Sequence, residues 1–291
     1  MSTNAATDLT PTSYRQPTVT SANEPPRRGS SRRGSPAGAT VRYAAHDLGR
    51  HLRMFASVFF IAVLPTAMYL MFGAMTSFGE FAAGSGNVKG SIMVSMAVYG
   101  AVVATTNIAG SAAVEQSRGW GRLLALTSMS PARYVAAKVL VALAMAVLPV
   151  VFLFAVGYAT GARVGSLADW AATFALTVGC STVFALYGLA FGLLFRSESA
   201  LGAASGLLVI LGFFGNLFTP LTGTMLDIAR FTPVYGVGGL ARWPQLEGMV
   251  LAAEPGTQPD SLAWLVGNVI TWAILFGAVC MLAMRRRAVR R

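Results

Sequence analysis

Few side chains in this sequence have the types and spacing that chemistry demands. The two cysteines, Cys180 and Cys280, sit in apolar runs with no neighbouring metal ligand, so they read as packing residues rather than as a redox or metal pair. His46 and His51 have a single acidic companion, Asp47, whose position next to His46 in sequence puts the two on different helix faces. A nucleotide-cradling loop needs Gly-Lys-Ser/Thr, because the lysine reaches the phosphates and the hydroxyl holds magnesium. The only lysines, Lys89 and Lys138, follow Val88 and Ala137, so neither fits. What remains is neutral: Asn107, Asn216 and Asn268, in apolar runs that also hold Thr105, Thr106, Ser111, Ser181, Thr182, Thr219 and Thr271. Hydrogen bonds between helices account for most such groups, and the three asparagines are the candidates for contact with a substrate path.

The elements that must position these groups follow from composition. Of 291 residues 55% are apolar and 11% charged, about half the charge of an ordinary soluble domain. The apolar residues fall in six blocks free of Asp, Glu, Lys, Arg and His, at 54–75, 91–113, 139–160, 171–195, 201–221 and 262–284. At ~1.5 Å rise per residue each is long enough, as a helix, to cross a hydrocarbon core of ~30 Å. Continuous apolarity excludes barrel strands, which alternate in polarity. The expected fold class is therefore all-α membrane protein with six transmembrane helices. The first block follows 53 more polar residues and is longer than a secretory h-region, so it reads as a retained span rather than a signal peptide.

Charge sets the orientation. If the N-terminus is cytoplasmic, 18 of the 22 Lys+Arg lie in 1–53, 114–138, 196–200 and 285–291, and 4 lie in the outer loops. That asymmetry predicts cytoplasmic termini, with 285–291 a basic tail. It also accounts for most of the net charge of +11 without nucleic acid as a partner. Residues 1–41, rich in Ser, Thr, Pro and Gly, read as a disordered cytoplasmic tail. Its repeated Arg-Arg-Gly-Ser at 27–30 and 32–35 has as an alternative reading a basic arm released from lipid when Ser30 or Ser35 is phosphorylated. Residues 42–53 form a short amphipathic stretch suited to the cytoplasmic interface. Pro65 and Pro149 should kink their spans, and the pairs Gly188/Gly192 and Gly202/Gly206 are spaced for close helix packing.

The loop between the second and third blocks carries the densest signal. On a helix Trp120, Leu123 and Leu124 share a face, and Arg118 and Arg122 form a basic edge. Such a helix either rests on the membrane surface or presents a knob to a soluble partner.

The run Glu115, Arg118-Gly119-Trp120-Gly121-Arg122-Leu123-Leu124-Ala125-Leu126-Thr127-Ser128-Met129-Ser130-Pro131, Tyr134 and Lys138 resembles the signature of type-2 ABC export permeases. Residues 215–221 and 228–235 resemble the end of span five and the outer segment of that family, and the likeness extends over 42–287. The resemblance implies that Glu115, Arg118, Gly119, Trp120, Arg122, Leu123 and Leu124 belong to a coupling region that docks on a separate ATPase subunit. ATP and magnesium would be bound there, with no cofactor or catalytic site on this chain. It implies a paired permease, as a homodimer or with a second permease, in the bacterial cell membrane. Residues 222–261 would form short re-entrant or surface helices closing the outer mouth, with Leu226, Ile228, Phe231, Trp243 and Leu246 as their apolar side.

The implied activity is efflux of an amphiphilic drug-like or antibiotic molecule, as in antibiotic resistance, with lipid-linked glycan or polysaccharide as the alternative cargo. Secondary transport is disfavoured because proton or ion coupling normally keeps ionisable groups inside the bilayer, and the six blocks hold none. A membrane enzyme would need a nucleophile with a base, or metal ligands, at that depth, and the blocks offer neither.

Overall fold

The computed structural model describes residues 45, 47–49, 55–115, 131–251 and 259–288. The 1–41 tail, most of the 42–53 stretch and the 116–130 loop lie outside them. Helices account for nearly everything described. They are α1 (Phe55–Tyr69), α2 (Val88–Glu115), α3 (Pro131–Ala159), α4 (Leu167–Cys180), α5 (Thr182–Phe195), α6 (Glu198–Phe214), α7 (Gly223–Ala229), α8 (Pro233–Leu246) and α9 (Leu262–Ala288). A π-helical turn, Leu70–Ala74, follows α1, and a two-residue hairpin pairs β1 (Ala82–Ala83) with β2 (Gly86–Asn87), antiparallel.

Among the described residues four stretches are long and apolar enough to cross a membrane: Val88–Glu115, Ala136–Ala159, Leu167–Phe195 and Leu262–Arg285. Ile61–Ala74 and Glu198–Phe214 are shorter apolar helices. Each charge-free block thus coincides with helix, but two depart from a single uninterrupted rod. The fourth is interrupted between α4 and α5 at Ser181, whose hydroxyl donates to the Val178 carbonyl at 2.6 Å. The fifth is helical only to Phe214. Asn216 turns left-handed at φ 55°, its carboxamide oxygen accepts the Leu221 N–H at 2.8 Å, and Pro220 has no N–H with which to continue a helix.

α2 forms the centre. It is buried along nearly its whole length, with α3 on one side and α5 on another, while α9 lies on the periphery against α5 and α8. Gly188 and Gly192 pack on α2 as their spacing predicts, facing the backbone at Thr106 and Gly110. Gly202 and Gly206 differ: a Cβ on either would meet nothing within 4 Å, because they lie on the exposed side of α6.

α8 is the element least expected from its sequence. Thr232 caps it by accepting the Tyr235 N–H, and Pro233 opens it where a missing N–H costs nothing. It then runs buried among α2, α4 and α9. Leu226 and Leu246 are buried as expected and Trp243 is partly so, whereas Ile228 and Phe231 are 52% and 65% exposed. Those two side chains therefore do not form part of an inward apolar side. Phe231 instead meets Trp264 of α9 edge to face at 5.4 Å.

Candidate functional site

Of the residues expected to dock a partner, Glu115 is described and Arg118, Gly119, Trp120, Arg122, Leu123 and Leu124 lie outside the described residues. At the stems of their loop, Glu115 is the last residue of α2 and Pro131 opens α3. One turn past Tyr134, the Lys138 side chain is 1% exposed. Its ammonium donates to Asp47 Oδ2 at 2.8 Å and to Glu115 Oε2 at 3.2 Å. Withdrawing an ammonium from water costs several kcal/mol, and two carboxylates within hydrogen-bond reach offset that cost. Leu48, beside Asp47, packs on the apolar cluster of Ile108, Ala109, Val141, Ala142 and Leu189. The segment before α1 is thus fastened to both stems by one ionic and one apolar contact. The sequence places Lys138 in the run that resembles the permease signature, without its carboxylate partners. The available signal was that a lysine beginning an apolar helix must find carboxylates nearby.

The three asparagines are not brought together. Asn107 donates to the Val103 carbonyl at 3.0 Å and accepts from Ser205 Oγ at 2.9 Å, joining α2 to α6. Asn216 donates to the Leu251 carbonyl at 3.3 Å. Asn268 donates to the carbonyls of Arg230 and Thr232 at 2.9 and 3.2 Å, fixing the α7–α8 turn on α9. Its buried Oδ1 has no hydrogen-bond partner and faces Gly236, where a Cβ would lie 2.3 Å away. No two of these carboxamides share a hydrogen-bond partner among the bonds named.

At the opposite end of the bundle, polar groups lock α8 in place. Arg242, 7% exposed, donates from Nη1 to Ser95 Oγ at 3.1 Å and to the Asn216 carbonyl at 3.0 Å, and from Nε to the Gly238 carbonyl at 3.2 Å. Gln245 Nε2 donates to the carbonyls of Ala83 and Asn87 at 3.0 and 2.9 Å, holding the hairpin against α8. Asn87 in turn accepts the N–H groups of Gly90 and Arg163 and donates to the Gly161 carbonyl. Outside the bundle Glu80 pairs with Lys89 at 2.5 Å and with Arg163 at 3.8 Å, and the Lys89 ammonium holds the Glu80 carboxyl below its ordinary range. Arg230 bridges Asp260 at 3.0 Å and Asp227 at 3.2 Å, and Asp260 also accepts from the Tyr235 hydroxyl. Sequence reading missed Arg242 and Gln245, which look like loop residues until their acceptors are known. Among the described residues no three His, Cys, Asp or Glu side chains form a metal site.

An apolar helical bundle with one end held by a polar lattice suits a protein that sits in a membrane. The family model of ABC-2 family transporter proteins matches residues 76–284, from before α2 nearly to the end of α9. The chain belongs to that family, and it is a multi-pass membrane transport subunit. Neither the curated proteins nor the solved structures include a match to it.

Proposed function

We propose that this chain is the permease half of an ATP-driven exporter in the bacterial cell membrane. Six crossings are formed by α1 with its π turn, α2, α3, α4 with α5, α6, and α9, with both termini in the cytoplasm. Two permeases pair, and a separate ATPase subunit docks on the 116–130 loop through Arg118, Gly119, Trp120, Arg122, Leu123 and Leu124. ATP-driven closure of the ATPases shifts the paired permeases from inward-open to outward-open. The cargo is an amphiphilic drug-like or antibiotic molecule that enters from the bilayer, because apolar walls with a few neutral hydrogen-bonding groups suit such a solute. Asn107 is one such group: a cargo that bonds its carboxamide oxygen displaces the Ser205 hydroxyl.

The observation that carries this reading is the basic amphipathic motif between Glu115 and Lys138, in a chain whose family is ABC-2 transporters. The test is purification of the native complex from membranes. An ATPase subunit is expected to co-purify and to be lost in Trp120→Ala and Arg122→Glu, which abolish efflux while leaving membrane insertion intact. Recovery of an active transporter without any ATPase, or unchanged efflux in both variants, overturns the reading.

A further inference from the structure

We infer that Lys138 is a positioning residue for energy transfer: its ammonium binds the segment before α1, through Asp47, and the end of α2, through Glu115, to α3, so that both stems of the 116–130 loop move as one piece with that segment. This rests on the proposed docking of an ATPase on the loop.

Three observations support it. The cation is withdrawn from solvent, at 1% side-chain exposure, and Asp47 at 7% is nearly as enclosed. A tie of this kind has a defined geometry, unlike a solvated surface pair that exchanges partners with water. The tie joins three separate pieces of chain rather than neighbours on one helix, since Asp47 and Glu115 stand 91 and 23 residues from Lys138. Leu48 adds an apolar anchor beside Asp47, so the attached segment is pinned at two adjacent points.

The physical consequence concerns force rather than stability. Buried ion pairs add little net stability relative to well-packed apolar residues, but they can fix one arrangement over others. A load applied to the loop reaches α2 through Glu115 and α3 through Pro131, two helices that already pack on each other through Ile108, Ala109, Val141 and Ala142. With Lys138 in place the load is shared and also reaches the segment that leads into α1. Coupling between distant sites travels through such packed and ion-paired chains when they join elements that move together.

The test uses the full permease with its ATPase in proteoliposomes, reading cargo transported per ATP hydrolysed, and hydrogen exchange of residues 45–49 in the permease. Lys138→Met keeps the length and packing of the side chain and removes the tie. It should lower transport per ATP by about tenfold, leave ATPase binding in place and speed exchange at 45–49, and Lys138→Arg should restore most of the loss. If Lys138→Met does not assemble, Asp47→Asn, which leaves Glu115 to hold the ammonium, is read in the same assays with an expected fall of about threefold.

Unchanged transport per ATP in the assembled variant, with Trp120→Ala still inactive, overturns the positioning role and leaves the docking reading standing. Parallel loss of ATP hydrolysis and transport also overturns it, because the defect then lies in docking rather than transfer. If Trp120→Ala is itself fully active, the docking reading fails and takes this inference with it.

Discussion

Gly188 of α5 faces the Thr106 carbonyl of α2 so closely that a Cβ at Gly188 would lie 2.1 Å from that oxygen. The same contact recurs one turn on, where a Cβ at Gly192 would lie 2.4 Å from the Gly110 carbonyl, and Thr106 Oγ1 reaches across to the Phe184 carbonyl at 3.3 Å. In lipid, helices associate through close backbone approach and interhelical hydrogen bonds rather than through exclusion of water. Gly188→Ala therefore forces apart the two helices at the heart of the bundle. It should cost about 1–3 kcal/mol, read as a lowered midpoint of unfolding in denaturing detergent. Gly202→Ala, placed where nothing lies within 4 Å, should shift the same midpoint by no more than ~0.5 kcal/mol.

The apolar helices were legible because the bilayer excludes ionised side chains, so charge-free length alone marks them. The Gly188/Gly192 packing was legible from spacing for the same reason, since glycine at that interval has little other use on such a helix. Gly202 and Gly206 have the same spacing without the contact, which shows that spacing identifies a capacity and not a partner. α8 was legible only as a short re-entrant or surface helix, not as a buried one. It holds three glycines and Pro244, all poor helix formers, together with Arg242 and Gln245. What buries it are acceptors on Ser95, Asn216, Ala83 and Asn87, as far as 162 residues away, which no local pattern announces. Which carboxylates meet Lys138 was hidden for a related reason: they come from two other stretches of chain.

The α8 lattice makes its own prediction. Arg242 is the only described side chain seen to bond α2, the Asn216 turn and α8 at once, and its planar fork reaches acceptors that a single ammonium does not. Arg242→Ala leaves the Asn216 carbonyl and the Ser95 hydroxyl short of a donor in a buried site. A loss of about 3 kcal/mol is expected, with faster hydrogen exchange over 233–246. Arg242→Lys should recover less than half of it. Wild-type exchange over α8 in the alanine variant would mean that the helix is held without Arg242.

The hairpin end of the bundle should respond to acid through Glu80. Its carboxyl is held low first by the hydrogen bond and charge of Lys89 and further by Arg163. A carboxyl lowered in the folded state stabilises that state at any pH above the ordinary carboxylate value of about 4.3. That contribution fades as pH falls below this value and is gone once pH has passed the lowered one. Residues 77–89 should therefore keep one conformation from pH 7 to about 5 and loosen below about 4. A fluorine label on Ala82→Cys, at an exposed position of β1, reports this by NMR line shape. Glu80→Gln removes the titrating group, so the spectrum should show the loosened hairpin already at pH 7 and change little on acidification. An acid transition of undiminished size in Glu80→Gln would assign the response to another carboxylate.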